Sequence, residues 1–447
     1  DAAAALTNYL AVAEGYPGLA VVDKELRPQA WQQVVTAAVA AGRMEAATLG
    51  MDRLLALNPE AEVVGRSALL VGQSLVRQGE PGRGRALLRA FADKFADSPV
   101  TADVRLSLAS MYLAEQRWTN ALQELDGWVR RYTNHPALAQ AEFDRAYATA
   151  LSGSITNAVE QFRSLSQRFV TNPIAQTAQV WLGTHFFNQG DYVAAEQAYV
   201  AVLTNTAWRG SRVAQEARLL AGDAALARGA TNAVGYFLDF LNDTAAPAEL
   251  RAPACFQLGE ARLRLAPAGT NGPLTAFADA LEAFSAAALY TNQPLAVSAW
   301  ARMAYCHVQL ASQNAVALDR ANDLYQRVVD SPMAEVEARA RAKVWLGQIA
   351  ERQAVGRKPD DAAVLREKAL NHYLDVTFGR TRRPGESLPA QQVEEAGIAA
   401  GRLLEERKRW DEAVGLYEQL GRDLPQQKPV WEARRDRVLA ARDGVGG

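Results

Sequence analysis

Between Trp31 and Leu54 the apolar residues fall three and four apart: Trp31, Val34, Val35 and Ala38, then, beyond Gly42, Met44, Ala47, Met51 and Leu54. That spacing places them on one face of a helix, so the stretch predicts two amphipathic helices joined at Gly42. The Asn58-Pro59 pair predicts the stop of the second. The same pattern recurs down the chain. Residues 65–99 carry Gly72, Leu75, Gly79, Leu88 and Phe91, and residues 102–136 carry Leu108, Ala109, Tyr112, Trp118, Ala121, Leu125 and Trp128. Pro99, Pro136 and Pro173 stand 37 residues apart, and Pro247 falls two such periods later, with Gly210 in the place of the missing proline. A glycine there ends a helix in the left-handed conformation.

Helical hairpins are therefore expected at about 28–59, 65–99, 102–136, 140–173, 176–210, 215–247, 252–294, 297–332, 340–384 and 394–425. Residues 1–27 read as a half repeat or lone N-terminal helix, with Ala5, Tyr9, Val12 and Pro17 in second-helix slots, and 429–447 as a polar capping helix and tail. Extra length at Ala266–Pro273 and Gly356–Asp361 reads as loop insertions between paired helices. Small residues such as Gly72, Gly183 and Gly259 predict close approach of the two helices of a hairpin. The aromatics Phe162, Tyr199, Phe237, Phe284, Tyr325, Tyr373 and Tyr417 are expected to fill the space between neighbouring hairpins, at roughly 1.5–3 kcal/mol each. Trp31, Trp118 and Trp410 stand in core slots.

This order of large, small and aromatic slots, closed by a proline and kept over about ten units, resembles the tetratricopeptide repeat (TPR) family. The resemblance implies an all-α, right-handed superhelical solenoid of about ten helix-turn-helix repeats with terminal capping helices. It also implies a concave groove lined by the first helices and holding partner segments. Carried over unit by unit, that groove comprises Asp103, Asp144, Thr184, Phe187, Glu216, Asp223, Phe256, Glu260, Tyr305 and Glu351. Its acidic stretch through Asp144, Glu216, Asp223 and Glu260, interrupted by Arg264, suits a basic or amphipathic protein segment. The long period, with phrases such as Phe91-Ala-Asp-Lys-Phe-Ala-Asp-Ser-Pro99, is similar to a subgroup that includes bacterial outer-membrane-assembly lipoproteins and the coordinator of the Tol–Pal system. That similarity implies a periplasmic or outer-membrane-associated protein of a bacterial envelope complex, the alternative being cytoplasmic.

Composition narrows the chemistry. The chain has 447 residues, 49% hydrophobic and 22% charged, with a net charge of −2, so it carries no strong field for nucleic acid. No run approaches the length of a membrane span. Cys255 and Cys306 read as two small apolar side chains. His135, His185, His307 and His372 lie in four different units without metal-ligand spacing, and His307 reads as a buried core residue. Gly79, Gly82 and Gly84 lack the Lys-Ser/Thr of a phosphate loop. The clusters at Arg380–Arg383 and Arg407–Arg409 read as solvated surface. With no cofactor, metal or catalytic constellation in the pattern, the expectation is a non-enzymatic scaffold for protein partners. Its alternative is a TPR domain of a larger enzyme or sensor.

Overall fold

A computed structural model describes residues 1–15, 22–57, 60–266, 272–289, 294–312 and 316–444. All regular structure among them is helical. The helices divide into two compact units, 1–190 with 201–209 and 191–200 with 210–447. In the first unit α1 (Ala2–Glu14) is followed by four pairs: α2 (Arg27–Ala40) with α3 (Met44–Leu57), α4 (Ala61–Arg77) with α5 (Pro81–Lys94), α6 (Thr101–Ala114) with α7 (Trp118–Arg131), and α8 (Leu138–Leu151) with α9 (Ile155–Arg168). Then come α10 (Pro173–Asn188), still in the first unit, and α11 (Tyr192–Thr204), whose residues are divided between the two units. The second unit continues with α12 (Arg212–Ala227) and α13 (Ala233–Asn242), α14 (Arg251–Arg264) and α15 (Gly272–Ala287), α16 (Pro294–Leu310) and α17 (Ala317–Asp330). It ends with α18 (Val336–Ala354) and α19 (Pro359–Thr377), α20 (Ala390–Glu406) and α21 (Trp410–Asp423), and α22 (Lys428–Gly444).

Within each unit successive helices pack on one another, and first helices also touch first helices. In the first unit α2 meets α4, α4 meets α6, α6 meets α8 and α8 meets α10; in the second α12 meets α14, α14 meets α16 and α18 meets α20. The first helices of each unit thus lie side by side as one face.

Seven hairpin turns among the described residues share one feature, a left-handed residue: Gly42, Gly79, Gln116, Gly153 and Gly190, spaced 37 residues apart, then Gly229 and Lys408 in later hairpins. The next amide bonds back five residues, as in Glu80 N to Leu75 O (2.9 Å), Arg117 N to Tyr112 O (2.9 Å) and Arg409 N to Leu404 O (2.9 Å). That is a Schellman closure, which satisfies the last carbonyls of the first helix.

The seams combine glycine with large side chains. A Cβ on Gly222 would lie 2.7 Å from Phe237, one on Gly259 2.5 Å from Phe284, and one on Gly72 3.1 Å from Leu88. Each aromatic therefore presses an edge into the first helix of its own hairpin as well as reaching the next one. Phe162 shows both contacts, with Phe143 at 5.3 Å behind it and Trp181 stacked at 4.1 Å ahead. Phe162, Tyr199, Phe237, Phe284, Tyr373 and Tyr417 are all buried to within 1%.

Several expectations need correction. The extra length near Gly356 is no loop insertion: α18 and α19 are 19 residues each and the turn between them spans only 355–358. Trp118 and Trp410 are half-buried, whereas Trp31, Trp128, Trp208 and Trp431 are buried. Cys306 and His307 are buried but Cys255 is only partly so. The arginine clusters lie at the surface, with Arg380, Arg382, Arg383 and Lys408 exposed, but several of their side chains are also tied to the fold. Arg383 donates to Ser331 O and Pro332 O, both at 2.7 Å, while Arg407 and Arg409 both bind Glu367. Pro17, Asn58-Pro59 and most of the Ala266–Pro273 loop lie outside the described residues.

Candidate functional site

All ten groove residues fall on first helices. In the first unit Asp103 is on α6, Asp144 on α8, and Thr184 and Phe187 on α10; in the second Glu216 and Asp223 are on α12, Phe256 and Glu260 on α14, Tyr305 on α16 and Glu351 on α18. The structure does not leave these carboxylates as one uniform acidic strip. Glu216 binds Arg212 at 2.9 Å, one turn away on its own helix. Glu260 is held by Arg302 from the next first helix at 2.7 Å. Glu351 is held by Arg402 and accepts from the Tyr373 hydroxyl at 2.7 Å. Asp103 lies 3.8 Å from the His135 ring nitrogen, and Asp144 accepts from Gln140 at 2.8 Å. Burial pushes the Asp144 carboxyl above its usual range. Asp223 differs: one carboxylate oxygen is buried with no hydrogen-bond partner, and burial pushes its pKa up to about 6. Thr184 bonds to the Val180 carbonyl at 3.0 Å, and Phe187 is half-buried.

Each unit has a concavity opening on its first-helix face. In the first unit a cleft of about 630 Å³ runs between α4 and α6, floored by Leu69, Val76, Leu106 and Met111 and edged by Asp103 and Ser110. In the second a cavity of about 400 Å³ lies among α14, α16, α17 and α18. Its walls are Phe256, Tyr305, Tyr325 and Trp345, and its charged lining groups are Arg302 and Arg341. Trp345 stacks parallel to Tyr325 and edge-on to Tyr305, each at 5.9 Å between centroids. The site thus unites Phe256 and Tyr305, which sequence reasoning selected, with Tyr325, Trp345, Arg302 and Arg341, which it missed. A signal existed, because Arg341 and Trp345 are four apart on one helix and share a face. Among the described residues no three His, Cys, Asp or Glu gather as a metal site, and no helix is long and apolar enough to cross a membrane.

Against known families, residues 69–136 and 143–211 match one tetratricopeptide-repeat profile and residues 398–429 match another. Those three segments are similar to tetratricopeptide repeats. No curated protein sequence matches this chain. Among solved structures, it is similar to PilF of Pseudomonas aeruginosa at 15% identity, covering 52% of this chain and 99% of that one, with a TM-score of 0.36. It is similar to a tetratricopeptide repeat protein of Parabacteroides merdae at 13% identity, covering 69% and 99%, with a TM-score of 0.36. It is also similar to human IFIT1, solved as a dimer with m7Gppp-AAAA, at 13% identity, covering 93% and 90%, with a TM-score of 0.40.

Proposed function

We propose that this TPR array is a non-enzymatic scaffold that binds segments of partner proteins along its first-helix faces. The observation carrying this reading is the placement of both concavities. Each is lined mainly by first-helix side chains, with large apolar groups left partly open beside polar ones. The second helices instead bury their aromatics in the seams. Such a surface is formed before the partner arrives, so binding loses little ordering entropy on the scaffold side. The groove carboxylates Glu216 and Glu260 are both ion-paired with arginine. That favours a positioning role over acid catalysis.

The test is a photo-crosslinking amino acid at Ser110 or Ser298 on first helices and at Gln123 on the second helix α7, expressed in the native host. Adducts are expected from Ser110 and Ser298 and not from Gln123; equal yields from all three would contradict the reading. We further propose that the partners belong to a bacterial cell-envelope complex, on the strength of the long repeat period and its closing phrases. Cell fractionation tests this: recovery of the native protein in the cytosol alone would refute it.

A further inference from the structure

We propose that the cavity among α14, α16, α17 and α18 takes a bulky aromatic side chain from an acidic partner segment, with Arg341 receiving a flanking carboxylate. The inference rests on the scaffold reading above and assigns one of its contacts. A volume of about 400 Å³ suits one large side chain and part of its backbone. Four aromatic rings form the walls, and Trp345 presents its edge to Tyr305 while stacking on Tyr325, so an inserted ring meets both faces and edges.

Charge decides the kind of segment. Only Arg302 and Arg341 among the lining residues are ionised. Arg302 is already neutralised by Glu260, through contacts of 2.7 Å and 3.1 Å. Arg341 is exposed and makes no ion pair or hydrogen bond among the described residues; Glu337, one turn earlier on α18, does not reach it. The mouth therefore holds one uncompensated guanidinium, whose planar fork matches a carboxylate. A lysine-rich segment, which the groove carboxylates alone would invite, meets repulsion here. The acidic character read from sequence thus does not extend to this part of the face.

The experiment uses the full chain and three fluorescein-labelled peptides: Asp-Glu-Trp-Glu-Asp, Lys-Lys-Trp-Lys-Lys and Asp-Glu-Ala-Glu-Asp, followed by fluorescence anisotropy at low and high salt. The acidic tryptophan peptide is expected to bind best and to weaken with salt. Arg341→Glu should weaken it by on the order of tenfold. Ser298→Trp, which plugs the mouth from an exposed position, should abolish it, with circular dichroism unchanged in both variants. Equal or tighter binding of the lysine peptide, equal binding of the alanine peptide, or indifference to Arg341→Glu would each overturn the proposal. The scaffold reading fails separately: if no peptide binds but Ser298 still forms photo-adducts with a partner, only the pocket assignment is lost. If the adducts are absent as well, both fall.

Discussion

Replacing glycine by alanine in this chain should have opposite signs at two helical positions, because the seam and not helix propensity decides one of them. Gly127 lies inside α7 with nothing within 4 Å of a Cβ, so Gly127→Ala should stabilise by about 0.5–1 kcal/mol through propensity alone. Gly259 lies inside α14, and its Cβ would sit 2.5 Å from a ring carbon of Phe284. Ordinary carbon contacts are about 3.5–4.0 Å, so the ring must retreat by roughly 1 Å. Phe284 is fully buried, packed against Phe256 at 5.4 Å between centroids and clustered with Cys306. A close-packed neighbourhood resists that shift at about 1–3 kcal/mol, more than the propensity gain. Gly259→Ala should therefore destabilise by about 1–2 kcal/mol. In the double variant with Phe284→Leu, the smaller side chain relieves the overlap, and a coupling of about 1–2 kcal/mol is expected. Urea melts followed by circular dichroism give the midpoints. Hydrogen exchange of α14 and α15 amides reports the local effect, since arrays can lose all-or-none unfolding. If Gly259→Ala stabilises as Gly127→Ala does, or if the two changes simply add, the account of the seam is wrong.

Other positions give independent tests. Gln116 holds a left-handed conformation, φ 58°, at a site where Gly42, Gly79, Gly153 and Gly190 serve in the matching turns. Gln116→Gly should raise stability by about 0.5–1 kcal/mol in a urea melt, the released strain exceeding the extra unfolded-state entropy. Asp223 has a folded pKa of about 6, above its unfolded value, so its burial costs stability as pH rises from about 4 through 6 and stays costly above. Asp223→Asn should thus gain about 1 kcal/mol at pH 7.5, after allowance for partial exposure, and nothing near pH 4; an equal gain at both pH values would refute the assignment. The Cys306 thiol is buried and pushed up to about 12, so it should resist thiol reagents until urea unfolds its hairpin, while partly exposed Cys255 reacts first.

Helix positions and turns were legible because they depend on short-range rules. Apolar spacing marks the buried stripe, and glycine or proline marks the points where the backbone must leave the helix. Gln116 and Lys408 escaped that reading: their turns adopt the glycine conformation without glycine, under the pull of the closure bonds on either side. The length between α18 and α19 was misplaced because a longer helix and an inserted loop look alike when the added residues are Arg, Lys and Asp. The carboxylates of the groove were found by slot, but their partners were not. Arg302 is 42 residues from Glu260 and Arg402 is 51 from Glu351, separations set by the stacking of one hairpin on another and absent from any local pattern. The same holds for the aromatic cavity, which gathers Phe256, Tyr305, Tyr325 and Trp345 from four helices.

The central claim is that first helices present the binding face while second helices hold the seams. A thiol footprint with the partner recovered by crosslinking tests it most directly. Single cysteines replace exposed Ser298 on α16, and Gln123 on α7 and Asn371 on α19, in a Cys255→Ala background, and maleimide labelling is timed with and without partner. Labelling at position 298 should slow by on the order of tenfold while 123 and 371 keep their rates. Protection at 123 or 371 with none at 298 would contradict the account.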